Sequence, residues 1–560
     1  MGEDIPSPCD LIVVGTGLVE SIVASAASRI GKQVVHLDHR DFYGSSWATF
    51  SFNSLKNTLG LIDEFKEHTT QSQKEASDLN ISLNSKAVCN AIEKWFILDE
   101  CKTENDDSHQ ECEASRGKTS RITWTKSELL KNSRKFNFDL SPKVLCILSL
   151  RKILWLHKFL KIKVKSKSEL LKNSRKFNFD LSPKLLYSRG EMVEVLINSG
   201  ICRYAEFKNV SGIYTFDASE GCLLPVPCSR ADVFNSKDIS MVEKRLLMKV
   251  LAMCVDYENK PEEFKEYESG NFDNFLNAHK IQGKIRKYLV DSVAMANDST
   301  NFQDAVKNVQ KFVRSIGRYG NTPFLWTLYG SGELPQCFCR CSAVFGGVYC
   351  LKRNTENIII GSDGQAIGIV SDNQKLMARF ILIEDCLNPL ANIKSGISHA
   401  ILITDRSITN NDQVAIITVP SANGKDPVRI LELSASTMAC PPGLYVVHLI
   451  TRQVTTAVED LREVIDAVFC SGEKEALDKP NIIWSLHFNI NEYDSPEGKL
   501  PSNVYSCPGP DLFLDFDDHV IKARNIFQSM YPGEDFLPKV PDPEDVVLED
   551  SSEDIVQENP

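Results

Sequence analysis

Residues 11–38 constrain the fold more than any other stretch of this chain. Leu11-Ile12-Val13-Val14 is a short β-branched run suited to a buried parallel strand. Gly15-Thr16-Gly17 makes a tight turn, Leu18 to Ile30 follows as a helix ended by Gly31, and Gln33 to Leu37 returns as a strand. Asp38 closes that strand, 23 positions after Gly15. This is the dinucleotide-binding βαβ arrangement, with an acid placed to meet a ribose. Glu20 stands where a third glycine or an alanine is expected. Helix and strand pack closely there, and charge beside a pyrophosphate is unfavourable, although a carboxylate at a helix N-terminus is otherwise comfortable. The sequence therefore predicts a dinucleotide-binding fold with an impaired nucleotide site. Gly15, Gly17, Glu20 and Asp38 are its degenerate remnant, and no cofactor is expected.

A second stretch, Arg318 to Gln336, is too rich in glycine, proline and aromatics for a plain core element and too patterned for a linker. The following residues, Cys337 to Gly347, read as a short helix. Gly332 and Pro335 punctuate its start, where a missing proline donor is harmless, and Gly346-Gly347 ends it. Glu333, Gln336 and Arg340 fall at i, i+3 and i+7 on one face; Leu334, Phe338, Cys341 and Phe345 fall on another. One side packs and the other offers an acid, an amide and a guanidinium. A solvated helix face is the plain alternative.

These motifs resemble a known family. Tyr319-Gly320-Asn321-Thr322-Pro323-Phe324, Leu328-Tyr329-Gly330 and Gly332-Glu333-Leu334-Pro335-Gln336 are similar to the signature shared by Rab GDP-dissociation inhibitors and Rab escort proteins. The N-terminal block and Tyr43-Gly44 agree with it. Arg230 to Lys237, Met241 to Arg245, Leu402 to Ser407 and Leu500 to Tyr505 favour the escort branch, component A of Rab geranylgeranyltransferase. The resemblance implies a binding module without catalysis of its own, flavoprotein-like in fold but not a flavoenzyme. Its implied partners are GDP-bound Rab GTPases, the geranylgeranyltransferase α/β heterodimer, the geranylgeranyl lipid carried by the Rab, and, transiently, a membrane. It implies Tyr43, Glu333, Gln336 and Arg340 as the Rab-binding platform. Val348 stands where the inhibitors carry a threonine, and Ser45 replaces the second glycine of a Tyr-Gly-Gly block. Phe234 and Arg245 match the positions that dock onto the transferase; from the residues alone Phe234 could equally be core. A Rab GDP-dissociation inhibitor and a flavin-dependent oxidoreductase are the alternatives.

Composition fits this reading. Hydrophobic residues make 42% and charged residues 25%, ordinary for a globular protein, and a net charge of −12 argues against nucleic acid as the main partner. Seventeen scattered cysteines with no secretory signal suggest reduced thiols and a cytosolic location. Cys337, Cys339 and Cys341 cluster, but their spacing is not that of a metal site. No serine/histidine/acid set or phosphate-cradling lysine loop offers catalytic chemistry.

The expected organisation is an α/β large domain, Rossmann-like and dinucleotide-binding in type with mixed sheets, and an inserted small helical domain. Residues 1–69 open the large domain, 70–125 form an acidic mobile insertion, and 126–166 hold a duplicated segment and a basic spacer. Residues 167–186 supply a large-domain strand, 187–315 the helical lipid- and transferase-binding domain, 316–540 the second part of the large domain, and 541–560 a disordered acidic tail. The duplication is unusual: Lys126–Lys143 (KSELLKNSRKFNFDLSPK) recurs identically at Lys167–Lys184. Two copies do not make a solenoid, and the fold has one slot for this segment, so one copy is displaced.

Overall fold

The computed structural model describes residues 5–61, 80–82, 87–97, 167–296, 300–411, 413–420, 426–470, 479–494 and 500–539, with the backbone alone at 80–82. The first copy of the duplication and the acidic tail lie outside the described residues. Residues 1–96 and 171–560 form one unit; of 97–170, only Ile97 and Lys167–Leu170 are described.

The N-terminal βαβ forms as its residues dictate. Strand β1 (Cys9–Val14) pairs in parallel with β2 (Val34–Leu37), and helix α1 (Leu18–Arg29) connects them. Gly31, at φ 76°, supplies the left-handed turn after α1. β1 sits centrally in an eight-stranded mixed sheet. Leu11 lies opposite Val34 on one side and opposite Phe380 of the strand Gln374–Glu384 on the other. Val348–Cys350 extends the sheet beyond β2, and Val504–Cys507 pairs in parallel with Gln374–Glu384. Ala366–Ser371, Thr355–Ile360 and Asn80–Ser82 continue it antiparallel.

α1 is buried from Leu18 to Ser28 and packs against the helices Glu333–Val344 and Asp517–Met530. Such an enclosed helix needs small residues. Ser21 meets Cys339 Sγ at 3.1 Å, and the hydroxyls of Ser28 and Ser342 lie 2.8 Å apart. Larger apolar side chains, Ile22, Val23 and Phe338 among them, fill the remaining core at about 1.5–3 kcal/mol each for full burial.

A second eight-stranded sheet runs from Cys222–Pro225 through Gly212–Asp217, Ala415–Val419, Val428–Ser434, Tyr445–Arg452, Asn392–Thr404 and Ile482–Asp494 to Val88–Trp95. The stretch 187–315 is therefore not purely helical: it gives Phe207–Asn209 to a three-stranded sheet and two strands to this one. Three boundaries differ from expectation. Residues 80–82 and 88–95, expected within a mobile insertion, are strands; Val88–Trp95 pairs with Ile482–Asp494, and Trp484 Nε1 donates to Glu93 at 2.8 Å. Residues 167–186 give not one strand but the helix Lys167–Lys172, a 3₁₀ turn and short pairings at Phe179–Asp180 and Leu186–Tyr187. The helix expected at 337–347 runs from Glu333 to Val344, because proline is tolerated in a first turn.

The second copy of the duplication fills the slot. Phe177 and Phe179 are fully buried and stacked 5.5 Å apart, and Phe179 meets Phe52 at 5.6 Å and Trp484 at 5.4 Å. Lys184, also buried, donates from Nζ to Asp511 Oδ1 (2.6 Å), Asp511 O (2.8 Å) and Phe513 O.

Candidate functional site: a plugged nucleotide cleft and a charged platform

The dinucleotide cleft exists in backbone and is filled by the chain's own side chains. Asp38 does not face an open ribose position; its carboxylate accepts from Thr16 N (2.9 Å), Thr16 Oγ1 (2.7 Å) and Arg40 N (2.9 Å). Arg40 joins Asp38 (3.3 Å) to Glu384 (3.1 Å). Glu384 lies against Gly15 so closely that a Cβ there would overlap its side chain, and a Cβ on Gly17 would meet Glu20 Oε2 at 2.5 Å. The glycines that would let a pyrophosphate approach thus cradle carboxylates instead. Glu20 is buried with Oε2 unpartnered; burial first, and the charge of Glu384 second, push its pKa well above the usual carboxylate range. His36, whose Nε2 lies 2.5 Å from Gly15 O, is lowered to about 4 by burial. These residues do not fit a dinucleotide.

The helix Glu333–Val344 is held differently. At its start Gly330 (φ 117°) and Gly332 let the chain touch Thr49 and Asp180: a Cβ on Gly332 would meet Thr49 N at 2.5 Å. Asp180 accepts from Ser331 N at 2.8 Å and from the Thr49 hydroxyl, which itself accepts from Gly332 N at 2.9 Å. Burial raises the Asp180 carboxyl to about 7. Leu334, Phe338 and Cys341 face the core as their spacing requires. Phe345 does not; it is exposed, with the Arg29 guanidinium 5.0 Å from its ring centre. Cys337, Cys339 and Cys341 are all buried packing residues, and burial raises the first two thiols to about 12.

On the opposite face, Tyr43, Glu333, Gln336 and Arg340 line one cavity of about 330 Å³. Tyr43 comes from the loop after β2, so the sheet and the helix build the site together. Two further walls were not apparent in the sequence: Tyr349, whose ring centre is 6.0 Å from that of Tyr43, and Tyr204, which lies under the Arg340 guanidinium at 4.7 Å. Val348 is half-buried in the neighbouring strand and does not line the cavity. Gln336 Nε2 donates to Gly332 O within its own helix. Glu333 and Arg340 make neither an ion pair nor a side-chain hydrogen bond among the described residues, and burial raises the Glu333 pKa. The surface thus presents an unpaired acid and an unpaired base on one concave patch.

Phe234 and Arg245 lie elsewhere. Phe234 is 73% exposed on the short helix Arg230–Asn235, and Met241 and Val242 beside it are 59% and 66% exposed. Lys244 Nζ donates to Phe234 O at 2.7 Å, tying the helix Met241–Val255 to this spot; Arg245, one turn after Met241, is exposed and unpaired among the described residues. Phe234 is therefore not core, and the patch is apolar with a basic edge.

Comparison with known proteins shows the family. The chain is 37% identical to the Rattus norvegicus "Rab proteins geranylgeranyltransferase component A 1", across 100% of its own length and 96% of the relative's. It is 33% identical to component A of Drosophila melanogaster, covering 98% and 93%. The chain belongs to the component A, or Rab escort, family. Within this family member, residues 397–512 match the RAE1/2 domain I C-terminal region and residues 3–98 match the GDP dissociation inhibitor family. A Schizosaccharomyces pombe "probable secretory pathway GDP dissociation inhibitor 1" is 28% identical over 64% of the chain and 82% of that protein. The crystal structure of a Plasmodium falciparum Rab GDI superposes with a TM-score of 0.62 at 16% identity, covering 93% and 98%, and so shares the fold. The escort-family chain is thus an α/β protein of the GDI type whose cofactor cleft is sealed.

Proposed function

We propose that this chain is a Rab escort protein: it binds newly made, GDP-bound Rab GTPases, presents their C-terminal cysteines to Rab geranylgeranyltransferase, and chaperones the lipidated product to a membrane. The observation that carries this is the 330 Å³ cavity of Tyr43, Glu333, Gln336 and Arg340, whose acid and base have no ionic partner among the described residues, in a protein of this family. A half-buried acid and an exposed guanidinium on one helix face are suited to charge-assisted contacts across an interface. The chain acts as an accessory subunit, with bond-making left to the transferase, and works in the cytosol. Phe234 and Arg245 supply the transferase contact, since an exposed aromatic beside an arginine is the composition of an interface anchor. That patch favours the escort reading over a GDP-dissociation inhibitor, which needs no transferase contact. The filling of the nucleotide cleft by Glu20 and Glu384 argues against a flavin oxidoreductase.

The test is calorimetric titration with a GDP-loaded Rab. Arg340→Ala should weaken binding by about 2–5 kcal/mol, the range for removing one member of a buried charged contact. An affinity unchanged by this substitution removes Arg340 from the platform.

A further inference from the structure

Arg340 raises a question that the platform reading leaves open. A long guanidinium side chain on an exposed helix face has rotamer freedom to lose when it meets a partner. No carboxylate among the described residues holds it. Its guanidinium instead lies over the Tyr204 ring, 4.7 Å from the centre. Tyr204 is the last residue of the turn Ile201–Tyr204, which Gly200, at φ 72°, sets off from the preceding helix. Its flank packs on the core that holds Leu334 and Phe338, so the ring is anchored from behind and has one face left for Arg340. The turn packs directly against the platform helix.

A ring face attracts a guanidinium without consuming its N–H donors in ion pairing, so all five stay available to an incoming acid. A carboxylate in place of Tyr204 would have occupied them. Across the cavity Tyr43 and Tyr349 form the facing wall, and Glu333 stands on the same helix as Arg340, two turns earlier.

We propose that Tyr204 is a positioning residue of the platform, holding the Arg340 guanidinium over its ring in the orientation that receives a carboxylate of the GTPase. This rests on the platform reading above and names a residue that reading does not contain. The partner surface it implies carries an acid for Arg340 and a basic group for Glu333, flanking an apolar side chain seated between the tyrosine walls.

The experiment is a double-substitution cycle with a GDP-loaded Rab. Tyr204→Phe, Tyr204→Leu and Arg340→Ala are measured singly, and Tyr204→Leu is measured again together with Arg340→Ala. Phenylalanine keeps the ring and should bind like the parent. Leucine keeps an apolar side chain on the core but removes the ring, and should weaken binding roughly 3- to 30-fold, the range of a desolvated cation–π contact. With Arg340 already alanine, the leucine effect should vanish. Parental affinity in Tyr204→Leu, an equal loss in Tyr204→Phe, or a leucine loss that persists without Arg340 would each overturn the proposal. A melting temperature shared by all the variants ties the losses to binding. Absence of Rab binding by the parent chain, or no effect of Arg340→Ala, would overturn the platform reading itself.

Discussion

Replacing Phe179 and Phe138 by alanine makes the same change in the two copies of one 18-residue motif. Phe179 is fully buried against Phe177, Phe52 and Trp484, with ring centres 5.4–5.6 Å away. Truncating a buried phenylalanine costs about 3–5 kcal/mol, and aromatic pairs add about 0.5–1.5 kcal/mol each beyond area. With three ring neighbours, Phe179→Ala should fall in the upper half of that range. Phe138 lies outside the described residues; because the second copy fills the slot, Phe138→Ala should stay within about 0.5 kcal/mol. Urea unfolding followed by tryptophan fluorescence and by circular dichroism would measure both, with coincident curves required before a free energy is quoted. A Phe138→Ala loss as large as that of Phe179→Ala, or a Phe179→Ala loss below about 1 kcal/mol, would refute the assignment of the core segment to the second copy.

Three further outcomes are expected. Phe234→Ala, which removes a 73%-exposed ring, should lower transferase co-precipitation while leaving Rab titration and melting unchanged; equal loss of both partners would point to misfolding instead. Lys184→Ala strips three acceptors of their buried ammonium and should cost about 3 kcal/mol, the low end for a broken buried pair because Asp511 is partly exposed. Parental stability in urea for Lys184→Met, which keeps a long apolar side chain and removes only the ammonium, would show that the charge contributes nothing. His399 Nε2 meets His448 Nδ1 at 3.0 Å in a buried pair, and burial lowers His399 to about 3. Between that value and about 6.5 the unfolded chain binds more protons than the folded one, so this histidine's contribution is complete above pH 6.5 and is lost on acidification. By pH 5 the loss is about 2 kcal/mol. His399→Phe should therefore flatten the fall of stability between pH 6.5 and 4; an unchanged slope would exclude the pair.

What the sequence disclosed followed periodicity and turn chemistry. The β1–α1–β2 unit, Glu20 as the departure and the charged face of the platform helix are all local patterns, and the fold kept them. The strand Val88–Trp95 was hidden because Asn90 takes a positive φ of 55° and the pairing slips beside Asn489, which breaks the two-residue alternation. Asn80–Ser82 is too short to carry a pattern at all. Phe345 shares the spacing of Leu334, Phe338 and Cys341 but lies past the last helical residue, Val344, where the core ends. Glu384, Tyr204 and Tyr349 reach their sites from distant segments, and nothing near them in the chain signals Gly15 or Arg340. Phe234 sits on a helix of only six residues, too short for periodicity to fix which side faces the core.

The sealed cleft has a thermodynamic consequence. A protein that holds a dinucleotide at a thousand times its Kd gains about 4 kcal/mol against unfolding by mass action. Here Asp38, Arg40 and Glu384 close the same crevice from within the polypeptide, so the ion pairs that hold this crevice together form with the fold itself and add no dependence on ligand concentration at this place.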